Sequence, residues 1–142
     1  MKVREVMTPN VEVVHSADPI QKAAQRMEDL DIGALPVAAG DEVKGIITDR
    51  DIVIRSTAQG LDPQKHKVME AVTEGIVSAD EEDDIKTVVN LMEDKQIRRV
   101  LVKNKEDKVT GIVSLGDLAV HLQRELAGEV LKDVSEPAEP AR

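Results

Sequence analysis

The chain is written twice. Displacing the sequence by 65 residues lays Val3 on Val68, Thr8 on Thr73, Asp18 on Asp83 and Ile20 on Ile85, and the run Met27-Glu28-Asp29 on Met92-Glu93-Asp94. Ile32 then falls on Ile97 and Val37 on Val102. One extra residue in the charged loop Lys103–Lys108 changes the displacement to 66, after which Gly45-Ile46 matches Gly111-Ile112 and Asp51 matches Asp117. A register held this long means one supersecondary unit used twice. Each copy is therefore a reading of the other.

Both copies carry the same order of signals. Val11–Val14 and Ile76–Ser78 are short β-rich segments. Helix-start signals follow: Asp18-Pro19 in the first copy, and Ser78 with Glu81 three residues later in the second. Apolar residues then recur at Ile20, Ala23, Ala24 and Met27, and at Ile85, Val88, Val89 and Met92, one face of a helix. Met27 and Met92 read as core fillers. Strands are expected over Leu35–Ala38 and Val43–Ile47, with twins at Val100–Lys103 and Val109–Val113, and a last helix opens at Thr48 or Ser114.

Each copy is thus β-α-β-β-α, in an α/β (α+β) fold class. A unit of about 50–60 residues is marginal alone, so the expectation is two units packed sheet to sheet, with pseudo-twofold symmetry, around one core. The domains are expected at 1–62 and 68–132. Residues 63–67, in the Gly60- and Pro63-bearing stretch Ser56–Lys67, link them, and a disordered tail covers 133–142.

Composition narrows what such a pair can do. The chain has no cysteine, so disulfides, thiolate metal sites and cysteine nucleophiles are excluded. His15, His66 and His121 stand apart without metal-ligand spacing. A formal net charge of −9 opposes binding to phosphate backbones, and with no Phe, Tyr or Trp there is no platform on which to stack single-stranded bases. No apolar run approaches the roughly 20 residues of a membrane span. The opening Met1-Lys2-Val3-Arg4-Glu5 lacks the apolar core of a secretory leader. Neither nucleic acid nor membrane is expected as a partner, and a cytoplasmic location is.

The most informative element is Gly45-Ile46-Ile47-Thr48-Asp49-Arg50-Asp51, echoed as Gly111-Ile112-Val113-Ser114-Leu115-Gly116-Asp117. A strand ends, a hydroxyl residue opens a helix, and a carboxylate follows three positions on. One reading is a capping box at each helix start. The other is a carboxylate that grips a diol, since its two oxygens can accept from adjacent hydroxyls. The hydroxyl and helix amides beside it could hold phosphate or sugar, and Ile46 or Ile112 could press on a base. The readings are compatible.

With Ile32-Gly33-Ala34-Leu35-Pro36-Val37 and Val6-Met7-Thr8-Pro9 added, the doubled unit resembles a pair of cystathionine-β-synthase (CBS) domains, or Bateman module. It is similar to the stand-alone bacterial and archaeal pairs that include hypoxic-response and general-stress proteins. The likeness runs from residue 1 to about 126. It implies a regulatory module, not an enzyme, with two clefts for adenosine-containing ligands: AMP, ADP, ATP or S-adenosylmethionine, AMP or ATP foremost. One cleft would use Thr8, Ile32, Ile112, Ser114 and Asp117. The other would use Ile46, Thr48, Asp51, Thr73, Ile76 and Ile97. The family's ribose-binding acid falls on Asp51 and Asp117.

The copies also differ. Gly33-Ala34 in the first becomes Arg98-Arg99 in the second, and Pro36 becomes Leu101. Two arginines near one strand end are candidate phosphate ligands, or else they neutralise an acidic surface. In the first copy only Lys44 and Arg50 stand nearby. The run Asp80-Glu81-Glu82-Asp83-Asp84 reads as a first helical turn favoured by the helix dipole rather than as a metal site. No metal and no catalytic cofactor are expected, and neither a P-loop nor a nucleophile with its base is present.

Two functions remain in view. One is a ligand-sensing module that acts on itself or on an unidentified protein partner. The other is a stress-related interaction protein whose clefts bind no nucleotide. The family resemblance adds a homodimer, with Ile52, Val53, Leu118 and Val120 as candidate interface positions.

Overall fold

The computed structural model describes the backbone of residues 1–135 and side chains through residue 128. Two compact units divide it: a central unit, Asn10–Ser78, and a terminal unit made of Met1–Pro9 together with the chain from Ala79 onward.

The central unit contains β2 (Val14–His15), α1 (Ile20–Leu30), β3 (Ala34–Ala39), β4 (Glu42–Thr48), α2 (Asp49–Ile52) and β5 (Thr73–Glu74). A π-helical turn, Val53–Thr57, prolongs α2. The terminal unit contains β1 (Thr8–Pro9), β6 (Ser78–Asp80), α3 (Ile85–Lys95), β7 (Arg99–Lys103), β8 (Val109–Ser114) and α4 (Leu115–Ser135). Each unit holds a four-stranded sheet, in the orders β2-β3-β4-β5 and β1-β8-β7-β6.

The fourth strand of each sheet comes from the head of the other copy. β1 opens the chain but pairs antiparallel with β8, Thr8 opposite Ile112 and Pro9 opposite Gly111. β5 opens the second copy but pairs antiparallel with β4, Glu74 opposite Gly45 and Thr73 opposite Ile46. Spatial units and sequence copies are therefore divided differently.

The exchange follows from where the opening residues find cover. Val3 and Val68 head 3-10 turns and are fully buried. Around Val68 the first-turn amides of α1 are satisfied by the same segment: Ile20 N donates to His66 O and Gln21 N to Pro63 O, both at 3.0 Å, while Val68 N donates to Asp18 O at 2.8 Å. Around Val3, Ile85 N donates to Met1 O at 3.0 Å and Val3 N to Asp83 O at 2.8 Å. A helix start needs partners for its free N–H groups, and here a neighbouring stretch of main chain supplies them.

The central unit's core joins Ile20, Ala23 and Met27 of α1 to Val14, Leu35, Val37 and Ile47 of the sheet and to Val68 and Ala71. It is wholly aliphatic, as the composition requires. In the terminal unit Val88, Met92, Val100, Leu101, Val102 and Val113 occupy the matching positions.

Several expectations are corrected. Ser78 and Glu81 do not start a helix: Ser78 lies in β6, and α3 begins at Ile85 with Asp84 Oδ1 accepting from Lys86 N at 2.9 Å. Buried Ala79 draws this stretch into the sheet. The acidic run is accordingly a turn, with Asp80 N on Asp83 Oδ2 at 3.0 Å and Glu82 N on Asp80 Oδ1 at 2.8 Å. Glu82 pairs with Lys2 at 2.5 Å and Arg4 at 2.8 Å.

The first strand of each copy lies later than Val11–Val14 and Ile76–Ser78, and in the first copy it is also shorter. On α3 the buried stripe is narrower than expected, since Val88 is fully buried and Val89 is 37% exposed. Leu118 is buried and Ile52 packs on the central core, so neither offers a free face; Val53 and Val120 are exposed. Residues 133–135 belong to α4, and the rest of the expected tail lies outside the described residues.

Candidate functional site

In the central unit β4 runs extended through Thr48 and turns directly into α2. Thr48 Oγ1 accepts from Asp51 N at 3.0 Å, and Asp51 Oδ2 accepts from Thr48 N at 3.0 Å. This is a complete capping box. The carboxylate has capacity beyond it, because two ionised oxygens offer about four acceptor sites. The Thr73 hydroxyl donates across both of them, 3.2 Å from Oδ1 and 3.3 Å from Oδ2. The Asp51 side chain retains 12% of its exposure, enough to be reached from outside.

The neighbouring strand comes this close because residue 45 is glycine. A Cβ there would overlap the Thr73 carbonyl oxygen. Ile46, half-buried, faces Thr73 across the β4–β5 ladder. Ile76 is exposed just past β5. Thr48, Asp51, Thr73 and Ile46 are thus brought together.

The terminal unit repeats the arrangement. Ser114 Oγ accepts from Asp117 N at 3.0 Å and Asp117 Oδ2 accepts from Ser114 N at 2.9 Å. Thr8 sits opposite Ile112, and a Cβ on Gly111 would lie 2.7 Å from Thr8 O and 2.6 Å from Met7 Sδ. Arg99 faces Ser114 across the β7–β8 ladder, and Arg98 O accepts from Leu115 N at 2.8 Å. Arg98 is exposed and Arg99 half-buried. Ile112 is buried, leaving little of it free to press on a ligand. Among the described hydrogen bonds Asp117 uses Oδ2 alone.

Ile32 and Ile97 each sit in the other unit from the acid with which the resemblance groups them. Ile32 packs on the central core. Ile97 and Arg98 line a pocket of about 420 Å³ with Val89, Met92, Leu115 and Leu118. Lys44 is held by Glu42 at 2.5 Å.

Arg55 is the residue the sequence reading passed over. Its Nη1 donates to Val72 O at 2.8 Å, and its Nε lies 4.0 Å from Asp51 Oδ1. The i, i+4 spacing of Asp51 and Arg55 was the available signal.

The family model for the CBS domain matches residues 3–56 and 68–124. Hypoxic response protein 1 of Mycobacterium tuberculosis is 37% identical over 135 residues, covering 94% of this chain and 94% of its own. The CBS domain-containing protein YhcV of Bacillus subtilis is 40% identical over 134 residues, with the same coverage of both chains. Among solved structures, Hypoxic Response Protein I with two coordinated zinc ions superposes with a TM-score of 0.71 at 38% identity, over 85% of this chain and 98% of that one. A putative signal-transduction protein with CBS domains from Burkholderia ambifaria gives 0.74 at 25%, over 86% and 93%.

This chain has no cysteine, and among the described residues no three His, Asp or Glu side chains converge to hold a metal. With two family matches, one per copy, and relatives that span its length, the chain belongs to the CBS-domain family as a tandem pair.

Proposed function

We propose that this chain is a regulatory module that binds an adenosine-containing ligand, AMP or ATP, through the diol of its ribose, with Asp117 as the principal acceptor and Asp51 as the second. Tandem CBS domains are generally regulatory ligand-binding modules, and no feature described above supplies a nucleophile with a base. The observation that carries the reading is the twin junction. Two carboxylates three residues past a strand end, each tied by its cap and each beside a threonine of an edge strand, are fixed in direction before any ligand arrives. Preorganised acceptors of this kind lose little entropy on binding.

Asp117 has the stronger claim. Its Oδ1 is outside the cap, and Arg99 opposite Ser114, with Arg98 beside it, supplies permanent positive charge for a phosphate. Asp117→Ala should weaken AMP and ATP about ten- to a hundredfold, the usual cost of about 1.5–3 kcal/mol for losing a charged hydrogen-bond partner. Asp51→Ala should have a smaller effect. Asp117→Asn keeps a capping oxygen and separates the two roles. Calorimetry decides: equal affinity of wild type and Asp117→Ala would leave Asp117 as a cap alone.

A second reading is favoured by a specific likeness, that to a hypoxic response protein. In it the chain is a stress-related interaction protein and the acids are only caps. Failure of AMP, ATP, ADP and S-adenosylmethionine all to bind would establish it over the first. In either case we place the chain in the cytoplasm as a homodimer. Exposed Val53, Ile54, Val120 and Leu122 support the pairing, as does the hexameric assembly of another CBS protein, CBS-CP12. No helix among the described residues is long and apolar enough to cross a membrane.

A further inference from the structure

Asp51 and Asp117 head the same reciprocal cap, yet what surrounds them differs. Four residues past Asp51 stands Arg55; the repeat register puts His121 at that place in the second copy. Arg55 reaches out of its helix to the chain that leads into β5. Its Nη1 donates to Val72 O at 2.8 Å and lies 3.5 Å from Ala71 O, while its Nε stands 4.0 Å from Asp51 Oδ1. Thr73, the next residue, spreads its hydroxyl across both Asp51 oxygens. His121 instead turns along its own helix to Glu125, 3.3 Å away.

β5 has only two ladder positions, so the side-chain ties are a large part of what fastens it. We infer that Asp51, Thr73 and Arg55 form a latch that holds β5 to the β4–α2 junction, and that a diol reaching Asp51 must first displace the Thr73 hydroxyl. The second half of this rests on Asp51 being a diol acceptor; the latch itself does not. A ribose diol bridges a carboxylate by donating to both oxygens, and the Thr73 hydroxyl already lies across both. The two therefore compete for one position. Binding at Asp51 is read out as loosening of β5, whereas Asp117, with no such tie among its described bonds, accepts its ligand without that cost.

Hydrogen exchange on the full chain, first without ligand, tests the latch. Thr73→Val removes the hydroxyl while keeping a β-branched side chain suited to a strand; Thr73→Ser keeps the hydroxyl. Amides of residues 71–74 should exchange about three- to tenfold faster in Thr73→Val and in Arg55→Met, the scale of one modest hydrogen bond. Thr73→Ser should restore the wild-type rate, and β1 should be unaffected throughout. Unchanged exchange in both Thr73→Val and Arg55→Met overturns the latch.

AMP calorimetry in an Asp117→Ala background then tests displacement. Thr73→Val should tighten the remaining site by a similar factor, and equal or weaker binding than with threonine overturns the competition. If exchange responds but AMP binds no variant, the latch stands and both the displacement and the nucleotide reading fall.

Discussion

A methyl group is the smallest change that tests how β5 and β1 are seated. At Gly45 and Gly111 the edge strand lies directly over the Cα, and an added Cβ would meet main-chain oxygen, of Thr73 at Gly45 and of Thr8 at Gly111, where the Met7 sulfur crowds it as well. Backbone cannot step aside cheaply, so Gly45→Ala and Gly111→Ala should each destabilise by about 1–3 kcal/mol, the range for overpacking a tight site. Thermal unfolding followed by circular dichroism measures this, since the chain has no tryptophan or tyrosine to report by fluorescence. A neutral result would mean that the edge strands sit further out. At this scale the sequence was informative where a residue type is forced by its spacing. The hydroxyl-x-x-Asp pairs could be read as caps, as diol acceptors, or as both, and the structure contains the caps. Arg55 is legible only as half of an i, i+4 pair with Asp51; its tie to the main chain entering β5 follows from the fold alone.

The turns that lead into α1 and α3 show how elements here depend on ionised acids. The hydrogen bond from Lys2 holds Glu82 below the usual glutamate range, against an opposing effect of burial, with Arg4 and Lys2 charges assisting. The Lys86 amide does the same for Asp84, and the His66 ring and Lys67 amide for Glu70. For Asp18 burial pushes upward, but the His15 amide and Lys22 together outweigh it. Every folded value is depressed, so the stabilisation is complete above the unfolded values and is lost as pH falls through the folded ones. Melting temperature should therefore stay level from neutrality down to about pH 5 and drop below about pH 4.5, the ordinary glutamate value. Glu82→Gln should shallow that acid limb; an identical limb in the variant would show that Glu82 is bystander charge. The helices were legible because eleven residues carry three turns of apolar repetition. Strands of two or three residues carry no period at all, so neither the place of each copy's first strand nor the turn in the acidic run is legible from spacing.

For the molecule as a whole, the reciprocal loan of opening segments sets where it can be cut. A fragment of residues 10–78 contains a complete sheet and the core around Ile20, Leu35 and Val68. One of residues 1–67, the more natural cut by sequence, loses β5, Val68 and Ala71 from that same core. The first should melt cooperatively, and the second should lack a transition. The reverse result would show that the exchange is incidental to stability. Association is the other property of this scale. The intact chain should sediment at twice its 15.5 kDa, and Val53→Glu should shift it toward the single chain, because Val53 is 58% exposed and leaves most of its apolar surface uncovered by its own unit. Sedimentation at one chain mass at micromolar concentration would overturn the dimer. The doubling of the unit was plain in the sequence; the loan was not, since a repeat announces that two units exist but not which strand completes which.

That loan also fixes an order of events during synthesis. In synthesis Met1–Pro9 emerges well before the other strands of its unit, the first of which, β6, comes some seventy residues after β1. Meanwhile the central unit, begun after that segment, can close as soon as Thr73 and Glu74 have emerged. Met1–Pro9 is thus left waiting, and the nascent protein carries an unplaced Val3 and β1 until the chain from Ala79 onward is made. Any factor that held that leading segment would delay the terminal unit and its Asp117 site while leaving the central unit to form on time.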